Sequence, residues 1–307
     1  MGRISRAIKL YKTNKEQFKS SLVNTFGFLF SDRKYLELLF KYNVGYELNL
    51  KNPKTYNEKL QWLKLYYHNP LLPILVDKYT VKEYVSNIIG QKYIIPSIGI
   101  WEKAEDIDWS KLPSQFVLKT TTGGGSIGVY ICHDKSTVDK HAVIKTLNKS
   151  LKYNIYETFR EWPYKEVKAR IIAEELLSQE GKSSLNDYKV MCFNGKVKLI
   201  EYHEGRFTGE HTQDFYDPEW NLTSITQGSY GENKANPVDK PNLLNEMIRL
   251  SESLSKDLPH VRVDWYIVDN HLYFGEMTFF DGSGLFPWDR YEDDLLLGSW
   301  LTLPQKQ

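Results

Sequence analysis

Phe116-Val-Leu-Lys119-Thr-Thr-Thr-Gly123-Gly124-Gly125-Ser126-Ile-Gly128-Val129 reads as an apolar strand ending on a lysine, a glycine-rich loop and a second strand. Glycines lack a Cβ, so their backbone N–H groups can approach a polyphosphate closely, and Lys119 can set a cation on its oxygens. The loop enters a strand instead of a helix and no Gly-Lys-Ser/Thr follows, which excludes a P-loop. On these residues alone, a flexible hairpin is the plainer reading of three glycines.

Further along, Arg262-Val-Asp264-Trp-Tyr and Gly275-Glu276-Met-Thr278 lie on successive strand-like runs joined by Asp269-Asn270, a tight-turn dipeptide. Alternation puts Arg262 and Asp264 on one face of the first strand, and Glu276 and Thr278 on one face of its partner. Two carboxylates are hard oxygen ligands and suit magnesium, which completes its shell with water and substrate phosphates. The competing reading is a surface cross-strand ion pair of Arg262 with Asp264 or Glu276, worth at most about 1 kcal/mol. Between the two motifs, Ile171-Ile-Ala-Glu174-Glu175-Leu176-Leu177 precedes Asp187-Tyr-Lys189. This apolar run could be the edge that pairs with a nucleotide base, or an ordinary sheet strand.

The chain has 307 residues, 41% hydrophobic and 14% aromatic, enough to bury the core of one large domain or two to three small ones. Forty basic residues oppose thirty-nine acidic ones, so net charge provides no reason to expect nucleic acid as a partner. Cys132 and Cys192 sit in apolar runs and read as buried core thiols in a reducing compartment. No apolar stretch reaches the roughly 20 residues needed to cross a bilayer, and the N-terminus lacks a signal-peptide pattern, which makes the cytoplasm the default.

Basic residues Arg3, Arg6, Lys9, Lys12, Lys15 and Lys19 recur at helical spacing, followed by the apolar Leu22, Val23, Phe26, Phe28, Leu29 and Phe30. Residues 1–30 could contact the inner face of a membrane peripherally; equally, they could cap the core or form a dimer contact. Thr55 and Glu58 form a capping-box pair before a helical run, and 77–85 reads as another helix. Strand-like runs follow at 116–119, 128–132, 170–177, 188–193, 196–203, 261–268 and 271–276, with helices at about 136–151 and 241–256 between them. The pattern indicates an α+β arrangement of antiparallel sheets with covering helices. The expected organisation is a basic helical arm (1–48), a mixed N-terminal lobe (49–115) and a larger unit (116–307) divided into 116–175 and 176–307.

The lysine strand with its glycine loop, the Glu-Glu-Leu-Leu edge, and Arg-x-Asp with Glu-x-Thr resemble, in this order, the ATP-grasp fold. Together with Asn52-Pro-Lys-Thr-Tyr-Asn-Glu-Lys-Leu-Gln-Trp-Leu-Lys, Asp77-Lys-Tyr, Asp187-Tyr-Lys and Phe274-Gly-Glu-Met-Thr-Phe, they are similar to the TupA-like ATP-grasp proteins across about residues 45–300. That family is associated with teichuronopeptide and capsular polysaccharide biosynthesis, and some members carry a glycosyltransferase label.

The resemblance implies two α+β lobes clamping ATP, with Lys119 on the α and β phosphates and Gly123, Gly124, Gly125 and Ser126 as a flap. It implies that Glu174, Glu175, Leu176 and Leu177 form the adenine hinge, with Glu175 or Asp187 near the ribose and Lys189 as a second cation on phosphate. Asp264 and Glu276 would hold Mg2+, and Arg262 would face the transferred phosphoryl and the oxyanion. Thr278 stands where ATP-grasp ligases commonly have asparagine, which makes it the poorer metal ligand of the set. The implied activity is a carboxylate–amine ligase working through an acyl phosphate, joining an amino acid or amine to an anionic sugar such as a uronic acid. The alternatives are a glycosyltransferase, with Asp293-Asp294 or Asp214 and Asp217 as metal acids, or a sugar phosphotransferase.

Overall fold

In a computed structural model describing residues 11, 13–125, 128–179, 184–206, 211–228, 231 and 237–306, nine strands of the described residues form two sheets. A four-stranded sheet contains β1 (Ser97–Trp101), β2 (Phe116–Thr120), β3 (Val129–Cys132) and β4 (Ile171–Glu175), in the order β1-β4-β2-β3. A five-stranded sheet contains β5 (Asp187–Phe193), β6 (Lys196–Glu204), β7 (Thr212–Tyr216), β8 (His260–Val268) and β9 (His271–Thr278), in the order β7-β6-β5-β8-β9. Every strand pairing is antiparallel, and the α+β class expected from the sequence is the one observed. The small sheet takes in Ser97–Trp101, upstream of the lobe boundary expected at 116.

A two-residue hairpin with a type I′ turn needs left-handed backbone at both turn positions. Asn194 and Gly195 supply it with φ of 48° and 78°, and Asp269 and Asn270 with 50° and 57°. On β8, Val261, Val263 and Trp265 have no exposed surface and face the core. Burying each such side chain contributes roughly 1.5–3 kcal/mol. The indole N–H of Trp265 donates to Ser251 Oγ at 2.9 Å, which satisfies the one polar atom this face buries there.

The β8–β9 register jumps from Asp264 opposite Glu276 to Trp265 opposite Phe274, which leaves Gly275 without a partner. This bulge inverts the phase of β9. Phe274 therefore packs in the core while Glu276, two residues on, faces the other side.

Nine helices are described: α1 (Lys15–Thr25), α2 (Asp32–Val44), α3 (Tyr56–Tyr66), α4 (Leu72–Val76), α5 (Thr80–Ile89), α6 (Lys140–Leu151), α7 (Ile155–Phe159), α8 (Leu244–Leu254) and α9 (Tyr291–Trp300). The capping box expected at Thr55 and Glu58 opens α3. Asp294 of α9 accepts from Asn57 N at 2.9 Å and Tyr46 Oη at 3.1 Å, and burial pushes its carboxyl up to about 6. Asp293 pairs with Arg290, and Asp217 accepts from Asn221. Asp293, Asp294 and Asp217 thus each hold local structure. Cys132 and Cys192 are buried and unlinked, as expected.

The arm joins the body through Arg160, whose guanidinium lies 4.0 Å from the Tyr35 ring centroid and donates to Gly27 O at 2.9 Å. Arg3, Arg6, Lys9 and Lys12 lie outside the described residues. Leu22, Phe26, Phe28 and Leu29 are exposed on the described part of the arm. No described helix is long and apolar enough to cross a membrane.

Helix α9 crosses the start of α3 at Gly298, where a Cβ would stand 2.1 Å from Lys54 O and 2.8 Å from Tyr56 N. Both are backbone atoms and cannot turn aside. Gly298→Ala is expected to lower stability by about 1–3 kcal/mol, read as a lower midpoint in urea unfolding; an unchanged midpoint would refute this close approach.

Candidate active site

One face of the five-stranded sheet carries a line of charge that runs across strands instead of along them. Glu201 on β6 pairs in register with Lys189 on β5, Lys189 with Asp264 on β8, and Asp264 with Glu276 on β9. In the next row, Arg262 stands opposite Thr278. Arg262, Asp264, Lys189 and Glu201 are each less than a tenth exposed. This overturns the reading of Arg262 and Asp264 as a surface ion pair.

The buried charges are closely paired. Arg262 grips Asp264 with two parallel bonds, Nε to Oδ1 at 2.7 Å and Nη2 to Oδ2 at 2.8 Å, a charge-assisted fork. Lys189 Nζ donates to Asp264 Oδ2 at 3.1 Å. Arg262 also bonds Asp281, donates to Thr278 Oγ1 at 3.3 Å and lies 3.6 Å from Glu276 Oε1. Burial and the nearby Arg262 work against a charged Lys189, but Asp264, Glu201 and Asp187 outweigh them and raise its pKa. Burial alone would raise the Glu276 carboxyl; Lys78, Arg262 and Lys189 outweigh it and hold the group below the usual carboxylate range.

The small sheet supplies the facing wall. Lys119 Nζ on β2 lies 2.5 Å from Glu174 Oε2 on β4, and Lys82 Nζ lies 2.5 Å from Glu174 Oε1. Lys78 connects three parts: its backbone N donates to Thr121 O at 2.9 Å, and its Nζ reaches Gly123 O and Glu276 Oε2, each at 2.7 Å. The glycine loop closes at Gly128, with φ of 71° and a would-be Cβ 2.0 Å from Ser150 Oγ, so a side chain there is excluded twice over.

Two chambers open between the walls. One, of about 300 Å³, is lined by Ile95, Val117, Val129, Ile131 and Tyr266, by residues 174–179, and by Lys119 and Asp187. Its apolar sides and the polar backbone of the 174–177 edge suit a purine, and Lys119 suits phosphate. The second, of about 400 Å³, is lined by Lys189, Arg262, Thr278, Glu201, His203 and Gln213 among others. Lys78, Gly123, Gly125, Arg206 and Glu276 belong to both.

Every described residue of the expected ATP, magnesium and catalytic set lines one or both chambers, whereas Asp214, Asp217, Asp293 and Asp294 line neither. Lys119, Glu174, Glu175, Leu176, Leu177 and Asp187 border the first. Gly124, Lys189, Arg262 and Thr278 border the second, Asp264 borders the first, and Glu276, Gly123 and Gly125 lie on the shared wall. Ser126 lies outside the described residues. Asp264 and Glu276, with the Thr278 hydroxyl beside them, are hard oxygen donors and fit magnesium as a partial set completed by water and phosphate. Among the described residues, no group of three or more His, Cys, Asp or Glu side chains forms a fuller cage.

Sequence reasoning missed Lys78, Lys82, Glu201, His203, Asp281 and Glu161 as site residues. Glu161 is buried in the second chamber and accepts from the Ser283 hydroxyl; burial pushes its carboxyl up to about 7 against the pull of Lys64. Asp77-Lys-Tyr was the one available signal for Lys78, and only as part of a resemblance.

Solved structures with a related fold include D-alanine–D-alanine ligase from Helicobacter pylori, with 16% identity and a TM-score of 0.41 over 75% of this chain and 62% of that one. An ADP complex of N5-carboxyaminoimidazole ribonucleotide synthetase has 15% identity and a TM-score of 0.45 over 81% and 57%. D-cycloserine synthetase has 13% identity and a TM-score of 0.41 over 68% and 64%. The chain thus spans less than two thirds of the length of these proteins, and likeness at this level carries no argument about chemistry. The comparison with curated proteins gives no match. The family profile described as TupA-like ATP-grasp matches residues 58–302. With that match spanning most of its length, the chain belongs to the TupA-like ATP-grasp family.

Proposed function

We propose that this chain is an ATP- and Mg2+-dependent ligase that activates a carboxylate and joins it to an amine. The observation that carries the reading is the shared wall of Lys78, Gly123, Gly125, Arg206 and Glu276, where a phosphoryl group from one chamber and a carboxylate in the other would meet. A carboxylate is a poor electrophile, so its oxygen first attacks the γ-phosphorus and ADP departs, leaving an acyl phosphate. The protein's part is positioning and charge neutralisation. Lys119, Lys78 and Arg206 offset the charge on the phosphates, and Arg262 faces the oxyanion of the second step. When bound by Asp264 and Glu276, magnesium supplies further charge neutralisation on the phosphate oxygens. The glycine loop, held to the large sheet through Lys78, keeps water from the activated carboxyl.

For the substrates, we infer an anionic sugar such as a uronic acid of a cell-surface or capsular polysaccharide, and an amino acid or other amine. Two things support this: the association of the TupA-like family with such polymers, and the chamber's mixture of Lys78, Lys189, Arg206 and Arg262 with the rings of Tyr153, Tyr164 and Phe286. Peripheral attachment at the cytoplasmic face of the membrane accords with the exposure of Phe28 (79%) and Leu29 (67%) beside a basic arm. The same chamber would serve a sugar phosphotransferase that stops after phosphorylating a hydroxyl, and product mass separates the two.

Incubation with ATP, Mg2+ and pools of uronic acids and amino acids is expected to release ADP and phosphate with an amide product; turnover of a sugar nucleotide without ATP use would refute the ligase. Glu276→Gln should reduce ATP turnover roughly 100-fold or more while circular dichroism stays unchanged, and near-normal turnover would show the metal assignment to be wrong. In flotation with anionic phospholipid vesicles, the full chain should rise and a chain lacking residues 1–30 should not. Equal recovery would end the membrane reading.

A further inference from the structure

The β6–β7 end of the charged face holds polar side chains that phosphoryl transfer does not use. Glu201 and His203 on β6 and Gln213 on β7 are 6%, 4% and 4% exposed. His203 and Gln213 are direct cross-strand partners. Glu201 Oε1 lies 2.5 Å from His203 Nε2 and accepts from Gln213 Nε2 at 2.7 Å. His203 Nδ1 in turn lies 2.7 Å from His211 Nε2. Burial by itself would raise the Glu201 carboxyl, but the hydrogen bond from His203 and the charges of Lys189 and Arg262 act against it, and the group stays ionised. An ionised Glu201 accepts from His203 Nε2–H, and with His203 neutral its Nδ1 accepts from His211 Nε2–H.

Two acceptors in this cluster have no hydrogen-bond partner, Glu201 Oε2 and Gln213 Oε1. Arg262 Nη1 stands 4.0 Å from Glu201 Oε2, which offers charge without a bond. Buried acceptors are normally satisfied, and two of them together ask for a ligand rich in N–H groups. All four side chains line the second chamber. Glu201 stands two strands from Asp264, roughly 10 Å across the sheet with Lys189 between them, and the second chamber lies over this row.

We propose that Glu201, His203, His211 and Gln213 form the subsite for the amine-bearing substrate, which enters as an ammonium, and that His211 takes the proton whose loss makes it nucleophilic. This rests on the ligase reading and deepens it. The ammonium gives one proton to the His211 imidazole, which passes it to solvent. The freed lone pair forms the C–N bond at the activated carboxyl carbon, and the C–O bond to phosphate breaks with its electrons on phosphate. The second proton lost by nitrogen goes to that phosphate. Glu201 and His203 are positioning residues that orient His211, while burial and the neighbouring His203 and Arg206 lower its pKa and keep the free imidazole neutral, ready to accept a proton.

The test has two arms, both on the full chain. In the first, nitrogen-15 spectra of the histidine rings are recorded without ATP while methylamine and a panel of amino acids are added. At least one member should shift the His203 and His211 signals, and E201Q should abolish the shift; no shift, or one unaltered by E201Q, overturns the proposal. In the second, ATP, Mg2+ and uronic acids are supplied with either the amine or hydroxylamine, which is already neutral at physiological pH. In His203→Gln, amide formation should fall roughly 100-fold and hydroxamate formation far less, whereas equal losses overturn the proposal. A wild-type protein that makes no hydroxamate refutes the ligase reading alone, because the ring-shift arm uses no ATP.

Discussion

Burying ionised side chains in a row across a sheet is the constraint on which this structure turns. An unpaired buried charge costs several kcal/mol, so each member of the Glu201, Lys189, Asp264, Glu276 line depends on the ones beside it. Pairing is achieved by strand order: β5 lies between β6 and β8, which sets Lys189 between two carboxylates. Arg262 reaches from the next row to neutralise Asp264 and Asp281 together. A face built in this way is already electrically matched to a phosphate and its counter-ion, since incoming charge can replace charge that is present.

The opposite wall obeys the same rule with fewer groups. Glu174 is nearly inaccessible and carries a lysine on each oxygen, one from β2 and one from α5. Lys82 and Lys78 both belong to the segment before the small sheet, so this part of the chain is structurally inseparable from the cleft. Lys78 spans the glycine loop and the large sheet, which joins the two walls through one flexible side chain.

Much of this was legible from the residues. Period-two runs, the Asn194-Gly195 and Asp269-Asn270 turns and the Thr55–Glu58 box each act through neighbours in sequence, and each appears where local chemistry places it. Lys119, Arg262, Asp264 and Glu276 stood out because charge at the end of, or inside, an apolar strand is uncommon. Lys78, Lys82, Glu201 and His203 did not. Lysines at a helix start and a Glu-x-His in an alternating strand look solvated, and only the order β6-β5-β8 and the facing wall bury them. Strand β7 escaped because five residues containing Gln213 and Asp214 have no apolar alternation to read.

The bulge at Gly275 has a consequence for how the hairpin responds to change. Because the ladder on either side of that glycine is in opposite parity, Phe274 and Glu276 point to opposite sides although an unbroken strand would point them the same way. Shortening β9 by that single residue would turn a carboxylate into the hydrocarbon interior or a phenyl ring into the cleft. The strand can therefore accept a change of spelling far more readily than a change of length, and the one residue without a side chain is the one that keeps count.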